Sequence, residues 1–179
     1  MARLPSRSSR ARDRRLSPLE LAIGFALVGS LLAVVVPTFA RELHSSRMVE
    51  PVGGLKRLGA AAVEYARSRP VTEAFPPAAP LTPGVVLRGR CDVDPPAAWS
   101  HPTWLALDFT PAPDGVAHCF AFSFDSSLSP ARSTFRAQAH ADLDGDGIPS
   151  TFEVTGHVVE GDAQGAVVDP GMFIDSEVE

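Results

Sequence analysis

The sequence predicts an α+β fold. One long N-terminal helix, membrane-crossing in its first half and amphipathic in its second, packs on a small antiparallel sheet of about four strands. Three observations lead there. Residues 21–36, LAIGFALVGSLLAVVV, form an unbroken uncharged apolar run. Leu55, Leu58, Ala62, Tyr65 and Ala66 recur at the three-to-four-residue spacing of a helix face. From residue 100 onward apolar residues alternate with polar ones, the period of a half-buried strand.

Residues 1–15, MARLPSRSSRARDRR, are a basic leader with six Arg and one Asp, whereas the rest of the chain carries ten basic and twenty acidic residues. A folded part this acidic lacks the basic surface that nucleic-acid binding requires, so nucleic acid is not an expected partner. The leader directly precedes the apolar run and reads as topology information. Arg14 and Arg15 keep the N-terminus cytoplasmic, and everything after Arg41 is exported.

Residues 16–40 are the membrane segment. At 1.5 Å per residue, about 20 helical residues cross a hydrocarbon core of ~30 Å. A cleavable secretory signal is the competing reading, with Thr38-Phe39-Ala40 as its small-x-small cleavage site. Glu20, at the leading edge, is costly in lipid unless something holds it. Ser17-Pro18-Leu19-Glu20 has the form of a capping box with Pro at the first helical position, which would satisfy that carboxylate locally.

The stretch LSPLELAIGFALVGSLLAVVVPTFA, residues 16–40, resembles the N-terminal segment of type IV pilins and of the pseudopilins of type II secretion. Glu20, Gly29 and Pro37 fall in the family's register, with Leu16 at the first mature position. The resemblance implies assembly through Glu20, Gly29 and Pro37 into a pilus or secretion pseudopilus, with other pilin or pseudopilin subunits as partners. It also implies an inner-membrane, single-pass stage with the C-terminal domain periplasmic or extracellular, and a place in a surface filament. Cleavage by a prepilin peptidase between Arg15 and Leu16, followed by N-methylation, belongs to the same pattern. The family's peptidase cuts after Gly, and here Arg15 stands in that position.

Residues 41–69 continue as the amphipathic helix, punctuated by Pro51 and Gly53-Gly54, with Lys56, Arg57, Glu64 and Arg67 outside the apolar stripe. Residues 70–99 are a connecting loop opened by PVTEAFPPAAPLTP; Pro lacks the amide donor and fixes φ, which excludes a helix or a central strand. Residues 100–179 form the sheet region. Strands are expected at Trp104–Phe109 and Ala117–Phe124 across a turn at 111–115. Two more are expected where Phe135, Ala137, Ala139 and Ala141, then Phe152, Val154 and Gly156, alternate with polar residues.

Cys91 and Cys119 in an exported domain suggest one disulfide closing a loop of about 29 residues. Two separate buried thiols, or a zinc site with His101 and His118, are the alternatives. The resemblance agrees with a disulfide, since many pilin-like proteins staple their C-terminal region.

Residues 142–153, DLDGDGIPSTFE, match D-x-D-x-D-G-x5-E in full. Alternate positions of a tight turn would aim Asp142, Asp144 and Asp146 at one Ca²⁺. Gly147 would allow the reversal, Ile148 offer its carbonyl, Ser150 a hydroxyl or water, and Glu153 a bidentate carboxylate. A polar hairpin turn without metal explains the same residues, Asp and Gly being common in turns. Any calcium here would be structural. No nucleophile elbow, phosphate loop or HExxH occurs, and the expectation is a protein that is not an enzyme. The alternative to a filament subunit is a membrane-anchored or secreted soluble Ca²⁺-binding or interaction domain.

Overall fold

The structure, a computed structural model, describes residues 17–95 and 97–176, with the backbone alone for 38–47. The chain divides into two compact units, Met1–Leu43 and His44–Glu179. Helix α1 spans Pro18–Ala66 and contributes to both. The elements that follow are a 3-10 turn at Val71–Glu73, β1 (Ala79–Thr82), α2 (Pro102–Ala106), β2 (Ala121–Ser127), β3 (Arg132–Ala141), β4 (Ser150–Val159), β5 (Val167–Val168) and β6 (Phe173–Asp175).

In the first unit, Pro18–Pro37 is long and apolar enough to cross a membrane, with a mean hydropathy of 2.4. Its large side chains, from Leu19 through Val36, are exposed.

In the second unit the strands form an antiparallel sheet in the order β1-β2-β3-β4-β5, with β6 pairing β4 beside β5. The described residues thus hold six strands where the sequence suggested about four. The long ladder β2–β3–β4 buries alternate residues: Phe122 and Phe124, then Phe135, Ala137, Ala139 and Ala141, then Phe152, Val154 and Val158. Against that face lies the apolar stripe of α1, Leu55, Leu58, Ala62 and Ala66, in one continuous core. Each buried Phe or Leu contributes about 1.5–3 kcal/mol from the apolar surface it withdraws from water. Lys56, Arg57, Glu64 and Arg67 stay outside. The helix runs through Pro51 and Gly53-Gly54, and Gly54 has a packing reason. A Cβ there would sit 2.7 Å from the Phe122 ring.

The Pro-rich connection is held by borrowed donors. Proline offers only its carbonyl, and side-chain hydroxyls come to it. Thr103 Oγ1 donates to Pro77 O (2.7 Å), Ser126 Oγ to Pro76 O (2.7 Å) and Ser133 Oγ to Val71 O (2.6 Å). The stretch accommodates β1, at the rim of the sheet where Pro80 is tolerated.

Two expected strands are corrected. Residues 104–106 of the expected Trp104–Phe109 strand belong instead to helix α2. Pro102 occupies its first turn, the His101 ring accepts the Thr103 N–H (3.3 Å), and Asp108 ends it in the left-handed region at φ 47°. Trp104 and Leu107 are buried while Leu105 is 67% exposed, so across the helix the spacing that mattered was three and not two. The strand expected from Ala117 begins at Ala121; ahead of it His118 makes an isolated bridge with Asp92.

Gly156 of β4 faces Phe135 across the ladder, and a Cβ there would enter the Phe135 ring. Gly156→Ala is expected to cost about 1–3 kcal/mol by overpacking, measured as a lower midpoint in urea with an unchanged slope. A midpoint within error of wild type would show that the ring moves aside freely.

Candidate functional site

Three groups of residues carry the chemistry noted in the sequence. The first is the start of α1. Glu20 Oε2 accepts the Ser17 N–H (2.8 Å) and Ser17 Oγ accepts the Glu20 N–H (3.2 Å), a reciprocal box that satisfies two backbone donors at the helix start. A Cβ added at Gly29 would meet nothing within 4 Å beyond its own helix backbone, and Pro37 ends the apolar span. Arg15 and Leu16 lie outside the described residues.

The second is the loop between β3 and β4. One oxygen from each of Asp142, Asp144 and Asp146 lies within 4.8 Å of the others. The loop organises itself around these carboxylates. Asp142 accepts from Gly145 N (2.7 Å) and Gly147 N (3.0 Å), Asp144 from Asp146 N (3.1 Å), and Asp146 from Ile148 N (2.7 Å). Asp142 is itself buried, with the Arg88 guanidinium 3.6 Å away.

The other expected ligands take different positions. Ser150 opens β4, buried opposite Ala141, and the Ile148 side chain is exposed. Glu153 is not one of the clustered carboxylates. It lies on β4, where its oxygens accept from Gln138 Nε2 (2.9 Å) and approach Arg136 Nε (3.6 Å). The reason is strand geometry: alternation along β4 turns Glu153 to the face opposite Phe152 and Val154.

The third group surrounds the Cys91–Cys119 disulfide, whose partners are 28 residues apart in sequence. A closed loop of this length contributes on the order of 3–4 kcal/mol in the chain-entropy account. Of the polar residues nearby, Glu50 and Asp94 were not singled out in the sequence, and His118 was named only for the zinc alternative. The Glu50 carboxylate on α1 accepts the N–H groups of Cys119 (2.9 Å) and Phe120 (2.9 Å), which precede β2. The buried His118 ring has Nδ1 2.9 Å from Phe120 O and Nε2 2.7 Å from Asp94 Oδ2. That same Asp94 oxygen accepts the Trp99 indole N–H (2.7 Å). The pairings of Glu50 with Cys119, 69 residues apart, and of Asp94 with His118, 24 apart, have no local sequence signal.

On the polar face of the sheet, Asp169 accepts from Thr155 Oγ1 (2.8 Å) and lies 2.7 Å from His157 Nδ1. The Thr155 hydrogen bond is the largest influence holding its carboxyl below the ordinary range, with His157 assisting. Burial lowers His140, with the Glu153 charge opposing. No protein-family model, curated protein or solved structure matches this chain.

Because the Asp169 carboxyl is depressed in the fold, its contribution to stability is present above the ordinary carboxylate range. It is lost as pH falls through the lowered folded value. Asp169→Asn is therefore expected to lower the melting temperature at neutral pH and to converge with wild type in acid. A gap that is constant across pH would assign the loss to packing and not to charge.

Proposed function

We propose that the chain is a structural or minor subunit of a type IV pilus or a type II secretion pseudopilus, assembling through its apolar N-terminal helix. The observation that carries this reading is the span Pro18–Pro37, apolar and exposed along its length, led by Glu20 and preceded by a basic segment. In lipid such a surface is solvated by acyl chains. Outside lipid it must be covered, and burial at about 25 cal/mol per Å² favours packing against like helices. A carboxylate at the front of the rod then sets register, because leaving it unpaired in an apolar core costs several kcal/mol. The amine of a neighbouring subunit's first residue would be its partner.

A second reading is favoured by one contact. Glu20 is already engaged by Ser17 of its own helix, as suits an anchor that holds an exported domain at the membrane without forming filaments. Glu20→Gln separates the two. Glutamine preserves the capping box but removes the charge. The variant is expected to insert in membranes at wild-type level and to be lost from sheared filament fractions. Undiminished recovery in filaments would leave Glu20 as a helix cap and discard its assembly role.

For the loop at 142–147 we propose a structural calcium ion held by Asp142, Asp144 and Asp146. The donor set fits, since three carboxylates this close repel one another and present the hard oxygens Ca²⁺ prefers. Its role would be to order the β3–β4 connection. A ligand at 100 times its Kd stabilises by about 2.7 kcal/mol, so calcium should raise the melting temperature by several degrees over chelator. Asp144→Ala should abolish the difference. Equal melting of the wild type in both conditions would remove calcium from the account.

A further inference from the structure

We propose that residues 84–94 form a redox-gated strap. While Cys91 and Cys119 are joined the strap is closed over Trp99 and His118; reduction releases it and leaves the helix and sheet folded.

The first argument is where apolar burial lies. The core cluster includes Ala79 and then resumes at Ala98 and Trp99, with no described residue from the intervening stretch. Leu87 is buried apart from that cluster, while Val85 and Val93 are exposed. Leu87 apart, the strap is therefore not fastened by the hydrophobic effect that fastens everything around it. Its other ties are polar, backbone or covalent. Leu87 O accepts from Asp142 N (3.1 Å) and Gly89 N donates to Asp142 O (2.6 Å). Asp92 and His118 exchange both backbone hydrogen bonds at 2.9 Å. Asp94 meets His118 and Trp99 through one carboxylate oxygen. The disulfide is the single covalent tie, in the middle of the strap.

The second argument is what lies beneath. His118 and Trp99 are 3% and 8% exposed, and Asp94, at the end of the strap, is the hydrogen-bonding partner of both rings. Trp104, by contrast, is buried among Phe109 and Trp99 and donates to Thr82 Oγ1 (3.0 Å), outside the strap. Release would open one tryptophan and spare the other.

The third is access. Cys91 is exposed and Cys119 half-buried. A dithiol reductant would attack the Cys91 sulfur and expel Cys119 as thiolate, which takes a proton. The reductant's second thiolate then attacks its own sulfur in the mixed disulfide and expels Cys91, which is protonated in turn. Two electrons pass from the dithiol to the protein disulfide, and the reductant leaves as its own disulfide.

Arg88 and Arg90 lie in the strap and Arg132 and Arg136 in β3, so trypsin reads both regions at once. The test uses the full chain in detergent micelles, oxidised or treated with dithiothreitol, with fragments resolved after full reduction. Cleavage after Arg88 and Arg90 is expected to accelerate at least tenfold on reduction, with β3 cleaved as slowly as before and tryptophan emission shifted to the red. The Cys91→Ser/Cys119→Ser variant is expected to match the reduced protein without reductant. Equal strap cleavage in both states, or a variant as resistant as the oxidised protein, would show that the polar ties suffice and overturn the proposal. Cleavage of β3 rising in step with the strap would also overturn it, making the disulfide a staple for the whole unit.

Discussion

The contact between Gly54 and the Phe122 ring governs the unit that follows residue 43. A helix can come that close to a sheet only where it carries no side chain, and Phe122 fills the place a Cβ would take. With that distance set, Leu55, Leu58 and Ala62 drop onto the same face and meet Phe124, Phe135 and Phe152 in one cluster. Glu50, one turn earlier, takes the backbone donors of Cys119 and Phe120 just ahead of β2. Helix register and strand start are thereby tied to each other. The aromatic residues fill the remaining volume, Trp99, Trp104 and Phe109 in edge and tilted contacts at one end, and at the other Phe75 edge-on to Phe135 with Phe124 stacked on it.

Regular and irregular segments are held by different forces. Helix and ladder are joined by apolar area, a non-directional force that tolerates sequence change of similar volume. The stretch after β1 is joined by directional contacts, each depending on one partner: a carbonyl for Gly89, a carboxylate for Trp99, a sulfur for Cys91. Asp142 belongs to both systems. Its backbone pairs with the stretch after β1, while its carboxylate organises the turn between β3 and β4. Whatever alters that turn is therefore felt at residues 87–89.

Much of this was legible because it is local. The capping box at Ser17 and Glu20 lies within four residues, the stripe from Leu55 to Ala66 is a periodicity, and the alternation of Phe135 to Ala141 is another. The two cysteines pair as their number suggested. What escaped was non-local or too short. Strands β1, β5 and β6 have two to four residues, fewer than any period can reveal. The segment at Trp104 alternates like a strand, yet Pro102 and the His101 cap turn it into a helix. Within the acidic loop, spacing identified the three Asp that come together. It also counted Glu153, because the motif describes a loop that leads into a helix, and here the loop leads into β4. Glu50 and Asp94 acquire their partners only through the fold.

The rims of the sheet have a consequence of their own. On one side the last strand is four residues long and contains Pro80, which has no amide to offer a newcomer. On the other, the outer edge of β4 is shielded in pieces: β6 along 151–153, the Asp169 amide at Thr155, and β5 along 156–157. Among the described residues, neither side leaves a long straight row of free peptide groups. Molecules crowded together are thus denied the template by which sheets zip into aggregates, and association is left to surfaces other than the backbone.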